Sequence, residues 1–332
     1  MIVVNYHDDL NEVQGDAATA ALLTAPYATA PFDRIEWWRN LAETCAMTPM
    51  IVISSDGLDR AILPLMRQRR ALVGFQNWYS FRLTPLISKA SRRAELLEEM
   101  ASALACEAPR ITLDRLSGED AQDLASAFRV AGWSVWQAPS DTNHILNVGG
   151  SDYASFLAAR PGQLRSTLKR KSGKLDVELF RTYDAHAYAS YEQIYADSWK
   201  PEEGSAAFLQ RFAQEEGAAG RLRMAIGSVD GSPVAAQFWT VENGTAFIHK
   251  LAHRNDAKAL SPGTTLSAAL FEEVIDRDRV SMVDFGTGDD AYKRDWMDDV
   301  RIRYRLDMLR PQWPGNWPII ALYALRRATQ RG

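Results

Sequence analysis

The stretch RLRMAIGSVDGSPVAAQFWTVENGTAFIHKLA, residues 221–252, decides the fold predicted for this chain. It reads as strands of alternating polarity joined at Asp230-Gly231, a dipeptide typical of tight β-hairpin turns. The stretch PMIVISSDGLDRAILPLMRQRRALVGF, residues 49–75, has the same pattern around its own Asp-Gly turn. The chain therefore contains an approximate internal repeat, with a hairpin at the start of each copy.

The two copies also agree downstream of their hairpins. A predicted helix, strand, helix and strand follow in residues 91–137, and the same order returns in residues 261–309. Hairpins followed by alternating helices and strands predict an α+β fold, in which helices flank a mixed, mainly antiparallel sheet. We expect the following division of the chain: an N-terminal unit at 1–150, a C-terminal unit at 151–310 with a helical insert at 151–216, and an amphipathic segment at 311–332.

Composition limits the classes of function. The 332 residues are 46% apolar, and 38 basic against 42 acidic residues give a net charge of only -4, so no chain-wide field favours nucleic acid as a partner. Two cysteines without metal-ligand spacing predict a reducing compartment and no metal site. The N-terminal residues lack the apolar core of a signal peptide, and we expect a cytoplasmic protein.

A basic run, ARPGQLRSTLKRKSGKL, lies in the predicted helical insert. Arg165 and Lys169 fall on one helix face because they are four residues apart. This pattern is typical of a solvated helix face. The alternative is a contact with the anionic part of a phosphorylated substrate.

The stretch DFGTGDDAYKRDW, residues 284–296, is open to three interpretations. A kinase-type DFG is excluded because the other kinase motifs are missing upstream. A dinucleotide loop is disfavoured because the two consecutive aspartates would repel a pyrophosphate at the following helix start. The third interpretation is a site in which Tyr292 and Trp296 share one face of a predicted helix, with Lys293 beside them; core packing of both aromatics is the alternative.

The stretch LSPGTTLSAAL, residues 260–270, predicts a sharply defined helix start, with Ser261 as N-cap and Pro262 at the first helical position. Because this helix directly follows a predicted strand, its free amides would favour a phosphate group at the strand's edge. An ordinary capped helix explains the same residues.

These features together resemble the GNAT superfamily of acyltransferases, in the branch of the Fem-type peptidyltransferases and the acetyltransferases associated with cellulose biosynthesis. The resemblance is carried by LRSTLKRKSGKL, DGSPVAAQF, HKLAH, LSPGTTL and DFGTGDDAYKRDW, which occur in the family's order. It covers residues 151–309 and, more loosely, 33–140. It implies two tandem GNAT-like units and N-acylation of a primary amine on a lipid, a sphingoid-type base, a sugar or an envelope precursor.

The resemblance also implies an acyl thioester such as acyl-CoA as the donor. SPGTT stands where typical GNAT enzymes have their pyrophosphate-binding loop, so an acyl carrier protein is an alternative donor. We assign the donor to Ser261, Pro262, Gly263, Thr264 and Thr265. We assign the acceptor to Arg165, Lys169 and Trp296.

Acyl transfer to an amine needs a proton acceptor, donors for the oxyanion and an acid for the leaving thiolate. We expect Tyr292 to be the acid, with Lys293 holding it or a phosphate. Asp284 is expected to accept the amine proton or to orient the acceptor. His249 and Lys250 are predicted on opposite faces of their strand, so at most one enters the site. The resemblance favours Lys250.

The C-terminal stretch RPQWPGNWPIIALYALRR, residues 310–327, combines tryptophans with arginines. This composition suits peripheral contact with the inner membrane face, and a helix docked on the core is the alternative. Two other functions stay open for the chain as a whole. One is aminoacyl transfer from charged tRNA, as Fem-type enzymes perform it, and the other is a binding module without catalysis.

Overall fold

A computed structural model of the chain describes residues 1–329. These residues form two compact units, which are Met1–Asp141 with residues 302–329, and Thr142–Arg301. No helix among the described residues has both the length and the apolar character needed to cross a membrane.

The strands and helices are numbered in chain order. The strands are β1 Val3–His7, β2 Pro49–Ser55, β3 Arg60–Gln68, β4 Ala71–Gly74, β5 Leu86–Ile87, β6 Arg110–Leu116, β7 Ser134–Asn147, β8 Asp176–Phe180, β9 Leu222–Val229, β10 Ser232–Glu242, β11 Thr245–His253, β12 Met282–Thr287 and β13 Asp299–Leu309. The helices are α1 Leu10–Gly15, α2 Ala17–Leu22, α3 Ile35–Thr44, α4 Arg93–Leu104, α5 Gly118–Val130, α6 Tyr153–Ala158, α7 Gly162–Lys171, α8 Ala185–Ala196, α9 Ala206–Ala218, α10 Pro262–Glu272 and α11 Trp317–Thr329.

The first unit has its strands in the order β1, β2, β3, β4, β6 and the second half of β13. All neighbours are antiparallel except β4 and β6, which are parallel because α4 crosses over between them. Leucines of β3, β4, β6 and α4 form its core. Trp133 packs edge-on against Phe128 in the same core. Burial of such side chains contributes about 1.5–3 kcal/mol each to folding.

The second unit has the order β8, β9, β10, β11, β12 and the second half of β7. Here β11 and β12 are the parallel pair, with α10 as their crossover. Helix α10 packs on one face of the sheet, where Phe271 meets Trp239 edge-on. Helix α9 lies on the other face, where Phe212 contacts Phe238.

The predicted fold class is therefore confirmed. Each unit has a mixed, mainly antiparallel sheet with flanking helices, and each copy of the repeat gives three antiparallel strands, a helix and a parallel strand. The compact units do not end at the predicted positions 150 and 310. The reason is that the last strand of each copy continues into the other unit: residues 142–147 of β7 pair with β12, and residues 304–309 of β13 pair with β6.

Candidate active site

A β-bulge in β11 orients two of the predicted site residues. Phe238 of β10 pairs with Lys250 and Trp239 pairs with Ile248, which leaves His249 as the extra residue. The two-residue period is broken there, so His249 and Lys250 both face α8 and α9. Their predicted placement on opposite faces is wrong for this reason.

His249 is held by protein contacts on that face. Its Nε2 shares a 2.8 Å hydrogen bond with Thr240 Oγ1 of the neighbouring strand. Its ring meets Phe212 edge-on, with 5.0 Å between the centroids. A catalytic imidazole needs a nitrogen directed at substrate, and these contacts instead support the positioning of β11 against β10 and α9.

Lys250 forms a close ion pair with Glu203, a residue in the loop between α8 and α9. The Lys250 Nζ donates to both carboxylate oxygens of Glu203, at 2.8 and 2.9 Å. The two side chains are only 13% and 16% exposed. Burial lowers the pKa of Lys250, and Glu203 opposes that change. The ammonium also lies over the ring of Tyr195, 5.1 Å from its centroid.

Lys200 connects this pair to the segment that was predicted to hold the catalytic acid. Burial lowers the pKa of Lys200, and so does the positive charge of Lys250. Glu203 and Asp290 raise it, and Lys293 lowers it slightly further. Asp290 and Lys293 belong to the segment after β12, and Lys200 belongs to the loop between α8 and α9. The loop therefore lies within electrostatic range of that segment.

Asp284 has a buried position at the end of β12. Its Oδ1 accepts hydrogen bonds from Asn143 Nδ2 at 2.7 Å and from the Gly286 amide at 2.8 Å. Gly286 and Gly288 both have positive φ angles, which the turn requires. Asp284 thus holds the turn after β12, and its proposed part in proton transfer would have to be indirect.

Lys293 supports the same turn from the other side. It is 4% exposed, and its Nζ donates to the carbonyl oxygens of Thr287 and Gly288. The ammonium also lies 5.3 Å from the centroid of Phe285. We therefore assign Lys293 a positioning role in place of the predicted direct contact with a phosphate.

Tyr292 and Trp296 do not share a helix face. Residues Ala291–Asp295 form a 3-10 helix, whose three residues per turn separate positions four apart. Trp296 is buried and stacks on Phe271 with 4.8 Å between centroids, which is the arrangement that the core-packing alternative predicts. Tyr292 is 42% exposed. Partial burial and the charge of Asp290 raise its pKa to about 12, so the phenol carries its proton at neutral pH.

The start of α10 agrees with its prediction in position but not in detail. Ser261 is the N-cap and Pro262 the first helical residue, yet Ser261 has a left-handed φ of 51° and no side-chain cap bond. Its carbonyl accepts from the amides of Thr264 and Thr265, and its hydroxyl accepts from Lys171 Nζ at 2.9 Å. The amides of Thr264 and Thr265 are therefore already paired, which leaves fewer amides for a phosphate than predicted. The ammonium of Lys171 is a further donor at this helix start.

The basic run forms α7, which packs beside α10. Arg165 and Lys169 are exposed on this helix, as the solvated-face interpretation predicts. Arg165 bonds through Nε to the Arg160 carbonyl at 3.1 Å, and no described contact of Lys169 ties it to the site. Lys171 at the end of α7 is the member of the run that reaches the start of α10.

A row of contacts connects the start of α10 with Lys200. A side chain at Gly263 would meet the ring of His253 at 3.9 Å. The His253 ring lies 4.4 Å from that of Trp199, and the Lys200 ammonium lies 5.8 Å from the Trp199 ring. The predicted donor segment and Lys200 therefore border the same end of β11.

Sequence reasoning missed Glu203, Lys200 and Tyr195. The signal for Lys200 and Glu203 was present in SWKPEEGS, residues 198–205, where a proline and several charges interrupt two helical stretches. Among the described residues, no group of histidine, cysteine and carboxylate side chains is arranged to hold a metal ion.

Comparison with known proteins agrees with this fold. The family described as Acetyltransferase (GNAT) domain matches residues 159–294, which lie within the second unit and contain every group named in this section except Asn143 and Trp296. That segment matches the GNAT model, in agreement with the predicted resemblance to the GNAT superfamily. No curated protein matches the chain significantly in sequence.

Solved structures extend the likeness to both units. FemX shares 10% identity over 95% of this chain and 100% of its own, with a TM-score of 0.65. A domain assigned to a lysylphosphatidylglycerol synthetase from Agrobacterium fabrum shares 15% identity over 96% of each chain, with a TM-score of 0.58. A tandem GNAT protein from the clavulanic acid biosynthesis pathway shares 13% identity over 92% of this chain and 98% of its own, with a TM-score of 0.53. At such identities the likeness is one of fold.

Proposed function

We propose that this protein is an N-acyltransferase that moves an acyl group from a thioester, acyl-CoA or an acyl carrier protein, to a primary amine. The observation that carries the proposal is the Lys250–Glu203 pair on the bulged strand of the segment that matches the GNAT model, next to Lys200, on which charges of the Tyr292 segment also act. The Glu203 carboxylate already accepts from the Lys250 ammonium, and in this site, which is largely shielded from water, its oxygens have further lone pairs with which to hold the ammonium of a substrate. Acyl transfer to an amine requires that this ammonium be bound and deprotonated.

The residues have the following roles in this proposal. Glu203 holds the ammonium and accepts its proton as the nitrogen attacks the thioester carbonyl. Lys250 keeps Glu203 in place. The C–S bond then breaks, Tyr292 donates its proton to the leaving thiolate, and the resulting phenolate takes up the second proton that the nitrogen loses as the amide forms. The phenol can act as the donor because its pKa of about 12 keeps it protonated at neutral pH.

The donor is proposed to bind at the start of α10. Lys171 supplies a positive charge beside Ser261, and Gly263 contributes a backbone amide in the first turn of α10. A phosphate of the donor would accept from both groups. Pro262, Thr264 and Thr265 shape this turn, while the exposed Arg165 and Lys169 on α7 would supply a wider positive field.

Release of free thiol tests the proposal directly. The purified chain is incubated with acyl-CoA thioesters of increasing length, or with an acylated carrier protein, together with a panel of primary amines. We expect thiol release that depends on the amine, with the amide identified by mass spectrometry. Thioesters that stay intact with every amine would contradict the proposal.

Aminoacyl transfer from charged tRNA is the second candidate, because FemX is among the similar folds and α7 is basic. Loss of the aminoacyl group from charged tRNA in the same assay, with thioesters untouched, would favour it. Inertness toward both donors would favour a binding module. The net charge of -4 supports the thioester, since grip on tRNA depends on phosphate contacts with basic residues.

We further propose a cytoplasmic location with peripheral membrane contact through α11. Tyr323 docks this helix by stacking on Trp136 and by donating to Asp307 at 3.1 Å. The opposite side exposes apolar groups, including Trp317 at 59% and Leu325 at 66%. Apolar helix faces with tryptophan and nearby arginine suit a lipid interface. The predicted segment extends to residue 332, and residues 330–332 lie outside the described residues.

Vesicle flotation tests the membrane contact. The double variant Leu322→Glu/Leu325→Glu should lose flotation with anionic vesicles. Val300→Glu/Ile302→Glu is a matched control, because it places two glutamates at exposed aliphatic positions outside α11. Equal flotation of both variants would contradict the contact through α11.

A further inference from the structure

A cavity of about 450 Å³ lies between α8 and the start of α9 in the second unit. Three tyrosines of α8, Tyr188, Tyr191 and Tyr195, form its wall. Their spacing of three and four residues places them on one helix face, and successive ring centroids are 5.4 and 6.0 Å apart. Leu209 of α9 completes an apolar surface opposite this row.

The charged groups of the cavity are mainly acidic. Glu192, Glu202 and Glu203 line it, and Lys200 is on the same wall. Glu203 is also the carboxylate that pairs with Lys250. A ligand that carries a positive charge and an apolar body therefore complements both the charge and the surface of this cavity.

We propose that this cavity is the acceptor site and that it selects a primary amine carried on an unbranched apolar chain. The inference rests on the proposed function, since Glu203 is the group that would bind the reacting ammonium. The chain then runs along the tyrosine row. Seven residues of α8 rise about 10 Å, which matches an alkyl chain of roughly eight carbons.

The chemistry distinguishes this acceptor from the others that the fold permits. A sugar amine would leave its hydroxyl groups against tyrosine rings and Leu209, where burial of polar groups without partners is costly. A fatty acyl chain would fit the rings, but it carries no positive charge to meet the excess of glutamates over lysine in the cavity wall. An amine on an apolar chain satisfies both parts of the wall.

Binding is measured by calorimetry with butylamine, hexylamine and octylamine, with no thioester donor present. Each buried methylene should raise the affinity about threefold to fourfold, so octylamine should bind about a hundredfold more tightly than butylamine. Octanol, which has the same chain without the charge, should bind more weakly than octylamine. A flat series would overturn the inference.

Two tryptophan variants locate the site. Ala206 lines the cavity at the first turn of α9, and Ala207 is its exposed neighbour that does not line it. We expect Ala206→Trp to remove the dependence of affinity on chain length, and Ala207→Trp to keep it. If the affinity still depends on chain length in both variants, the placement of the ligand in this cavity is overturned.

The same measurements separate this inference from the proposed function. Chain-dependent binding of alkylamines without any thioester consumption would reject the acyl transfer and support the cavity as an amine site. Thioester consumption with a hydrophilic amine, together with a flat binding series, would support the transfer and reject the cavity as its acceptor site. If thioester consumption depends on the length of the acyl group and not on that of the amine, the cavity is also rejected as the acceptor site.

Discussion

Replacement of Glu203 by glutamine removes the charge that the proposed mechanism needs and keeps the shape of the side chain. The two partners of the Lys250–Glu203 pair retain only 13% and 16% exposure. Removing one partner of a fully buried pair costs about 3–5 kcal/mol of folding stability. Because this pair keeps some contact with water, we expect Glu203→Gln to cost about 2–3 kcal/mol.

The pH dependence of this loss follows from Lys250. Burial lowers the pKa of Lys250 and Glu203 opposes the change, so the variant should have a still lower pKa at this lysine. Between that folded pKa and the unfolded value of about 10.4, the unfolded chain binds more protons, and stability rises with pH. The loss should therefore be largest at neutral pH and shrink toward about pH 10.

The assay combines unfolding in urea at several pH values with thiol release. We expect Glu203→Gln to lower turnover about a hundredfold or more, because it removes the proton acceptor. Glu178→Gln is the control, since its carboxylate on β8 of the same unit is exposed, does not line the cavity and is not the partner of Lys250. If Glu203→Gln behaved like Glu178→Gln in both stability and turnover, the assigned role of the ion pair would be refuted.

Three further substitutions test the segment after β12. Tyr292→Phe should lower turnover about a hundredfold and leave urea unfolding unchanged within about 0.5 kcal/mol, because the side chain is 42% exposed; full activity would exclude Tyr292 as the acid. Lys293→Met should cost about 1–3 kcal/mol, because the carbonyls of Thr287 and Gly288 lose their donor; unchanged stability would show that Lys293 does not hold the turn. Trp296→Ala should cost about 3–5 kcal/mol through its stack on Phe271, while Trp296→Phe should keep the KM for the amine; a large rise in KM for the stable phenylalanine variant would restore a substrate role.

Local sequence signals predicted the architecture well. The turn at Asp230-Gly231 has positive φ at both residues, as an Asp-Gly hairpin requires. Pro262 begins α10 as predicted, because proline fixes the φ angle of a first helical residue and lacks an amide that would stay unpaired. These signals act within a few residues, and the order of elements follows from them.

The candidate site depended on contacts that local patterns do not encode. The pair of Lys250 and Glu203 joins residues 47 positions apart, so no spacing rule could reveal it. The bulge at His249 arises from the register between β10 and β11, and the sequence around it reads as a regular strand. Tyr292 and Trp296 lie on different faces because the segment between them forms a 3-10 helix. The four-residue spacing of two aromatic residues does not tell whether a segment forms a 3-10 helix or an α-helix.

The two units share an order of elements but differ in how they use their charged groups. In the first unit, α4 is the counterpart of α10, and its first residues are engaged in structural pairs: Arg92 with Asp56 at 2.9 Å, and Arg93 with Asp120 at 2.5 Å. The counterpart of the bulged β11 is β4, a strand of only four residues.

The second unit has structural pairs of its own, such as Arg223 with Asp278 at 2.6 Å, and it also has charged groups at a cavity. Its bulged strand β11 has nine residues, and the GNAT family match falls within this unit. A duplicated fold needs one reactive site, and the other copy is then free to stabilise its helix start with ion pairs. We therefore expect Arg93→Met to lower the unfolding free energy and to leave the KM for the amine unchanged, whereas Glu203→Gln changes both stability and turnover. Thiol release measured for Arg93→Met at a temperature where it is fully folded separates the two effects, and a large change in its KM would contradict the assignment of chemistry to the second unit alone.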